Sequence, residues 1–194
     1  MASHQKKASR LKAWLVFIDE NGMMMAPLVR RTWSPRGKTP RLYQKTRSHK
    51  KVSVIAALCI PPCRRHLRLF FRLHPDTNVN AHLVVAFLQN LLKELYGPII
   101  IVWDRSVPHR SKKVHALRNT NPRLHLSLLP PYAPELNPVE YVWSYTKMNP
   151  LANVTAMDVA ALATRTRRSV RSIQKKQCLL HSFIKASGLS LRLT

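Results

Sequence analysis

Runs of apolar residues, separated by residues that favour turns, predict strands along much of the chain. Several runs are almost continuously apolar, which is typical of strands buried on both faces. The pattern also predicts that one strand is the hairpin partner of the strand before it, across a turn at Pro61 and Pro62. The predicted strands cover residues 11–18, 26–31, 52–60, 66–73, 99–103 and 124–129.

Apolar residues spaced three or four positions apart predict helices between these strands. The clearest helix is capped by Asn80 and runs to Tyr96, with Gly97 at its C′ position and Pro98 preventing continuation. Three more helices are predicted: one over 111–119, one that begins at Asn137 with Pro138, and a last one that begins at Thr155 with Asp158.

This succession of strands and helices indicates an α/β domain built in layers. The length of 194 residues suits one domain with a substantial core. We expect a flexible basic arm over residues 1–10, the domain over 11–187 and a tail over 188–194.

The charge of the chain changes this picture most. It has 33 Lys and Arg against 8 Asp and Glu, a net charge of +25. Such self-repulsion is usually neutralised by a polyanion, and the phosphate backbone of DNA is the best candidate. The sequence predicts no signal peptide and no membrane span, so we expect a cytoplasmic, nucleoid-associated protein. Three cysteines argue against a disulfide framework.

Positive charge is densest between residues 30 and 51, where no acid interrupts it. Trp33 in this region either stacks on an unpaired base or packs in the core beneath a basic loop. The residues that we expect to contact phosphates are Arg30, Arg31, Arg36, Lys38 and Arg41.

The few acids that remain are candidates for chemistry. Asp19 and Asp104 each follow an apolar run, and 35 residues separate Asp104 from Glu140. If the first strand and the strand at 99–103 are parallel neighbours, their terminal carboxylates come close together. Carboxylates are the ligands that Mg²⁺ prefers, and two ions can align an attacking and a leaving oxygen on phosphorus.

Each of these residues also has a simpler interpretation. An aspartate after a strand is often a turn or cap residue, and Glu140 could be the N3 partner of Asn137 in a capping box. Glu20 and Glu135 could be solvated or could pair with arginines. A zinc site at Cys59, Cys63 and His66 is disfavoured, because no fourth ligand is evident.

Four motifs carry a resemblance to a known family: Asp19-Glu20, the run over 31–40, Trp103-Asp104 with His109, and the segment 129–143. Together they resemble the catalytic domain of bacterial insertion-sequence transposases of the mariner-like superfamily, from about Trp14 to Ser187.

The resemblance implies an RNase H-like fold, with a mixed central sheet flanked by helices. It implies a catalytic and metal-binding trio of Asp19, Asp104 and Glu140, not Glu135. It also implies two Mg²⁺ or Mn²⁺ ions, hydrolytic nicking at transposon ends and strand transfer by the freed 3′-hydroxyl. His109 is then expected near the scissile phosphate or in proton transfer, and, with Arg110, in DNA binding; taken alone, a loop histidine is more often simply solvated.

The expected partners are double-stranded DNA, at transposon ends and target, and a second copy in a homodimer. Relatives carry a helix-turn-helix region before the catalytic domain, whereas 18 residues precede Asp19 here. We therefore expect a catalytic half, with a helix-turn-helix subunit or frame encoded separately, or a truncated copy. Relatives also often have glycine after the second Asp, where this chain has Arg105-Ser106. The rival hypothesis is a non-catalytic basic DNA-binding remnant or transposition inhibitor.

Overall fold

A mixed five-stranded sheet forms the centre of the domain, in the order β3-β2-β1-β4-β5. The computed structural model of the chain describes residues 8–26, 28–43 and 50–188. The first three strands pair antiparallel, whereas β4 and β5 run parallel to β1. The strands are β1 (Trp14–Met24), β2 (Lys51–Ile60), β3 (Arg68–Pro75), β4 (Ile99–Trp103) and β5 (Leu124–Leu128).

Helices cover both faces of this sheet, which is why its central strands are apolar on both sides. Alternate residues of β1, β2, β3 and β4 belong to two separate cores. One core packs against α1 (Ala81–Glu94) and α2 (Lys112–Asn119). The other packs against α3 (Pro138–Met148), α4 (Val159–Gln174) and α5 (Gln177–Ala186). The predicted α/β class is therefore confirmed.

Side-chain caps fix the beginnings of four of the helices. The Asn80 side chain accepts hydrogen bonds from the N–H groups of His82 and Leu83 at the start of α1. The helix was predicted to run to Tyr96 but ends at Glu94 with Leu95 as its C-cap, so Gly97 lies one residue beyond the C′ position predicted for it, and its φ of 85° is left-handed. Ser111, Asn137 and Asp158 cap α2, α3 and α4 in the same way.

Three predictions about elements were wrong. β1 continues to Met24, because it stays paired with β2 along its whole length. Residues 28–31 form no strand, although a strand was predicted over 26–31. The helix expected to begin at Thr155 begins at Val159, with Asp158 as its cap, and a further helix, α5, follows it.

The ends of the chain are described only in part. Residues 1–7 of the predicted arm, 189–194 of the predicted tail, and Lys45 and Arg47 of the basic region lie outside the described residues. Within the arm, Ala8 is buried in the core shared with α3. No helix in the described ranges has the length and apolarity needed to span a membrane.

Candidate active site: three carboxylates around one cavity

The two aspartates lie side by side at one edge of the sheet because β1 and β4 are parallel neighbours. The last register pair between these strands is Phe17 with Val102, and Asp19 and Asp104 each follow two positions later. Alternation therefore directs both to the face covered by α3. Asp104 follows the end of its strand as predicted, whereas Asp19 lies within β1, opposite Ala56 of β2.

The first turn of α3 brings Glu140 to the same place. The Asn137 side chain caps α3 by accepting from Val139 N–H, and its amide donates a 3.2 Å hydrogen bond to the Ile18 carbonyl of β1. This bond ties the start of α3 directly to the strand that carries Asp19. Asp19, Asp104 and Glu140 all line one cavity of about 440 Å³, whose opposite wall is the proline-rich segment 129–134.

The capping-box interpretation of Glu140 does not hold. In a capping box the N3 carboxylate would accept from the backbone N–H of the cap residue. The Asn137 N–H donates instead to the Pro134 carbonyl, at 2.9 Å. The Glu140 side chain therefore faces the cavity without a capping duty.

Asp19 is the most deeply buried acid, with 7% of its surface exposed. Trp143, one turn along α3 from Glu140, donates its indole N–H to Oδ2 of Asp19 at 2.8 Å. Burial, then the charge of Glu140, raises the pKa of Asp19 to about 8, and the hydrogen bond from Trp143 opposes this rise. Sequence patterns gave no sign of this bond, because 124 positions separate the two residues.

The other two acids differ from each other in the direction of their pKa shifts. Burial raises the pKa of Glu140, while Lys147 opposes the rise. Asp104 is half-exposed, and its pKa is lowered by a hydrogen bond from His109, with a second contribution from the Ser106 N–H. The cavity therefore combines an ionised outer carboxylate with an inner one that favours its proton.

His109 is held between two carboxylates on the opposite face of the sheet from α3. Its Nε2 lies 2.7 Å from Oε1 of Glu20, and its Nδ1 lies 2.7 Å from Oδ1 of Asp104. The ring stacks on Trp103 at 4.1 Å between centroids. Burial opposes charge on the ring, but the bonds to Asp104 and Glu20 outweigh it and raise the pKa of His109 to about 9. Both ring nitrogens therefore donate, and the ring is an imidazolium.

This arrangement corrects two expectations. His109 is 2% exposed, so a direct contact with DNA does not fit its position. Glu20 was expected to be solvated or paired with an arginine, but its side chain is only 18% exposed and its partner among the described residues is His109. The alternation along β1 was the available signal, because it places neighbouring Asp19 and Glu20 on opposite faces.

The other predicted DNA-binding residues lie on an exposed basic loop, residues 28–43, except Arg110, which follows His109. Trp33 is fully exposed, so the alternative of a core tryptophan was wrong. The loop is anchored where Asn153 exchanges two hydrogen bonds with the backbone of Arg30, at 2.7 and 2.9 Å, and where Arg30 donates to the Met148 carbonyl. Arg31, Arg36, Lys38, Arg41 and Arg110 are exposed.

The carboxylates form an open site and not a closed metal cage. Among the described residues, no three His, Cys, Asp or Glu side chains are already grouped closely enough to enclose an ion. Cys59 is buried in β2 and Cys63 is exposed, so the disfavoured zinc site is not formed. An open set of carboxylates suits Mg²⁺ or Mn²⁺, which keep waters and take substrate phosphates as ligands.

A mixed sheet lies between helices, and acids from two parallel strands and a helix line one cavity. A family model described as DDE superfamily endonuclease matches residues 14–163. The chain belongs to this family.

Solved structures confirm the RNase H-like fold. The chain is similar to the Mos1 mariner paired end complex with Mn, at 16% identity and a TM-score of 0.65, covering 96% of this chain and 56% of that one. The corresponding complex with Mg is 18% identical, with a TM-score of 0.62, and the match covers 96% of this chain and 56% of that one. The catalytic domain of Mos1 mariner transposase is 15% identical, with a TM-score of 0.54, and the match covers 96% of this chain and 87% of that one.

The chain thus spans a little over half the length of the Mos1 chains in the paired end complexes. No curated protein matches the sequence.

Proposed function

We propose that the chain is a metal-dependent DNA nuclease and strand transferase, with Asp19, Asp104 and Glu140 as its metal-holding acids. One observation carries the proposal: a buried aspartate lies beside a second acid in a cavity that a third acid also lines. Repulsion among these carboxylates disfavours their ionised forms until a cation or a proton balances them. Oxygen donors of this kind fit Mg²⁺ or Mn²⁺.

Two such ions, when bound, would stabilise the charge that develops on the attacking and leaving oxygens of a phosphodiester. The residues of the chain hold the acids in place for this. Trp143 orients Asp19, and the Asn137 bond to Ile18 sets the distance between α3 and β1. His109 fixes one oxygen of Asp104, with the Ser106 N–H on the same oxygen.

The reactions proposed are hydrolysis at transposon ends and transfer of the freed 3′-hydroxyl to a phosphodiester of target DNA. The exposed basic loop 28–43 would hold the phosphate backbone, because its cations lie at the surface and are free of neighbouring acids along the sequence. Joining two ends requires two active sites, so we also propose a homodimer. Sedimentation with and without duplex DNA tests this.

Nicking of supercoiled plasmid in Mg²⁺ or Mn²⁺ tests the proposal. Wild-type protein should convert supercoiled DNA to open circles, and Asp104→Ala should abolish this while DNA affinity is kept or increased, because a negative charge is lost. If wild-type protein binds DNA and never nicks it, the chain is the non-catalytic DNA-binding protein of the rival hypothesis. Nicking that persists unchanged in Asp104→Ala would place the chemistry elsewhere.

A further inference from the structure

Helix α4 carries a second cationic surface, which has no part in the cavity of the three acids. Its inner face is apolar or small and packs on the sheet, whereas its outer face is arginine-rich and exposed. The exposed cations are Arg165, Arg167, Arg168 and Arg171, and Lys175 follows at the end of the helix.

These charges are not neutralised within the domain. Among the residues described, none of the four arginines forms an ion pair with a carboxylate, and α4 contains no acid. Arg167 and Arg171 are four residues apart, as are Arg171 and Lys175. Like charges at this spacing destabilise a helix, so the surface retains repulsion that a bound anion would relieve.

The cations line a groove. Two shallow depressions of about 330 and 590 Å³ share Arg167 and Arg171. The edge strand β3 forms the wall of the first through residues 70–73, and Arg72 adds a third cation there, beside Arg167 and Arg171. We call the surface of Arg72, Arg167, Arg168, Arg171 and Lys175 the α4 groove.

The groove is held rigidly enough to present its charges as a fixed pattern. Gln174 donates a 2.7 Å hydrogen bond to the Leu69 carbonyl, which fastens the end of α4 to β3. Val170 and Ile173 are buried beneath the arginines. No residue that lines the groove also lines the cavity of Asp19, Asp104 and Glu140.

We propose that the α4 groove binds the phosphate backbone of double-stranded DNA, separately from the segment in the active-site cavity. From Arg167 to Lys175 the helix rises about 12 Å, which matches about three or four phosphates of one strand at about 3.4 Å each along the duplex axis. Arginine offers paired donors that fit phosphate oxygens. An anionic membrane fits poorly, since the outer face of α4 has no bulky apolar residue to insert.

This inference takes its ligand, DNA, from the proposed function, but it does not depend on the nuclease chemistry. A matched pair of triple variants tests it by fluorescence anisotropy on a 30-base-pair duplex over a range of salt concentrations. The first variant is Arg167→Gln, Arg168→Gln and Arg171→Gln. The control is Lys93→Gln, Lys112→Gln and Arg118→Gln, which removes three exposed helix charges from the opposite layer of the domain.

The slope of log affinity against log salt should become shallower by about 2.7 in the α4 variant, at about 0.9 for each phosphate contact. The control should change the slope by less than about 1. Equal changes in the two variants, or no change in the α4 variant, would overturn the proposal. So would loss of binding to phosphatidylserine vesicles with unchanged binding to the duplex.

Circular dichroism and thermal unfolding show whether the α4 variant folds. If it does not, Arg171→Gln alone replaces it, because Arg171 lines both depressions, and the expected change in slope is about 0.9. The plasmid assay separates the two proposals. If the wild-type protein never nicks DNA but the α4 variant shows this change in slope, the proposal for the α4 groove holds and the nuclease proposal fails. If the wild-type protein nicks DNA and the α4 variant shows no change in slope, the nuclease proposal holds and the proposal for the α4 groove fails.

Discussion

The indole N–H of Trp143 donates a 2.8 Å hydrogen bond to Oδ2 of Asp19, joining two residues that are 124 positions apart. The bond connects α3 to β1 at the floor of the cavity, three residues along the helix from Glu140. It is a fixed donor to a carboxylate that burial otherwise disfavours in its charged form. Trp143 therefore both packs the core and sets the orientation of a proposed metal ligand.

Replacing Trp143 with Phe should keep most of the packing and remove this donor. We expect a loss of about 2 kcal/mol in the free energy of unfolding, since the bond is made to an ionisable group. We also expect weaker Mn²⁺ binding at pH 7, because the pKa of Asp19 rises further. Urea unfolding and calorimetric titration with Mn²⁺ measure the two effects.

Trp14→Phe is the matched control. Trp14 also donates its indole N–H, at 3.0 Å to the Tyr96 carbonyl, but at the opposite end of β1. It should lower stability without changing Mn²⁺ affinity. Equal Mn²⁺ affinities in the two variants would mean that Trp143 does not position Asp19.

The pH dependence of stability should expose the buried carboxyl. In the folded state the pKa of Asp19 is about 8, against an ordinary value of 3.8, so folding favours the protonated form. The stabilising contribution is present below about pH 4 and is lost as the pH rises to about 8. His109, with its pKa raised to about 9, acts in the same direction between about pH 6.5 and 9.

Metal-free Asp19→Asn should therefore be more stable than wild type at pH 8, by up to about 5 kcal/mol, and nearly equal to it at pH 4. Adding Mn²⁺ should raise the melting temperature of wild type more at pH 8 than at pH 5, because protons compete for Asp19. The same addition should barely affect Asp19→Asn. Thermal unfolding at the three pH values checks this. If the variant is no more stable than wild type at pH 8, burial does not raise the pKa of Asp19 as described.

The bridge from Glu20 through His109 to Asp104 should couple Glu20 and His109 in stability. A double-mutant cycle of Glu20→Gln and His109→Phe, measured by urea unfolding, should give a coupling energy of about 1–3 kcal/mol. His109→Phe keeps the stack on Trp103 but loses both hydrogen bonds. We expect its turnover to fall by about 10- to 100-fold, as for other groups that orient ligands, with DNA affinity unchanged. Additive effects on stability, or a loss confined to DNA affinity, would contradict the bridge.

The hydrogen bonds that anchor the basic loop should affect its order but not the DNA binding of its cations. Asn153→Gly removes the two hydrogen bonds to Arg30 and tolerates the positive φ of 57° at this position. Trypsin should then cut faster within residues 31–41, while the salt slope of DNA binding stays the same. Gel electrophoresis against time measures the cutting. An unchanged rate would mean that other contacts hold the loop.

Local patterns predicted the fold well where one element determines its own structure. The cap at Asn80, the left-handed turn at Gly97 and the apolar strand at 99–103 each depend on near neighbours in sequence. The predicted first strand ended too early, at residue 18, because the acidic residues Asp19 and Glu20 interrupt the apolar run. Pairing with β2 extends the strand through them, and that pairing is not visible along a single segment.

The three acids were chosen from the sequence, but the residues that hold them were not. Trp143 and Glu20 each act through a partner about 90 or more positions away, so no local spacing reveals them. Helix α5 was missed for a related reason. Its Leu180, Phe183 and Ile184 are buried by residues distant in sequence, in the core beside α3.

The most direct measurement compares two glutamates of one motif in the plasmid-nicking assay. Glu140 faces the cavity, whereas Glu135, five residues earlier, is exposed and lies outside it. Glu140→Gln and Glu135→Gln remove the same charge with the same change of shape. We predict that Glu140→Gln abolishes Mn²⁺-dependent nicking and that Glu135→Gln nicks DNA like the wild type. Nicking that survives in Glu140→Gln, or is lost equally in both, would contradict the assignment of Asp19, Asp104 and Glu140 as the active site.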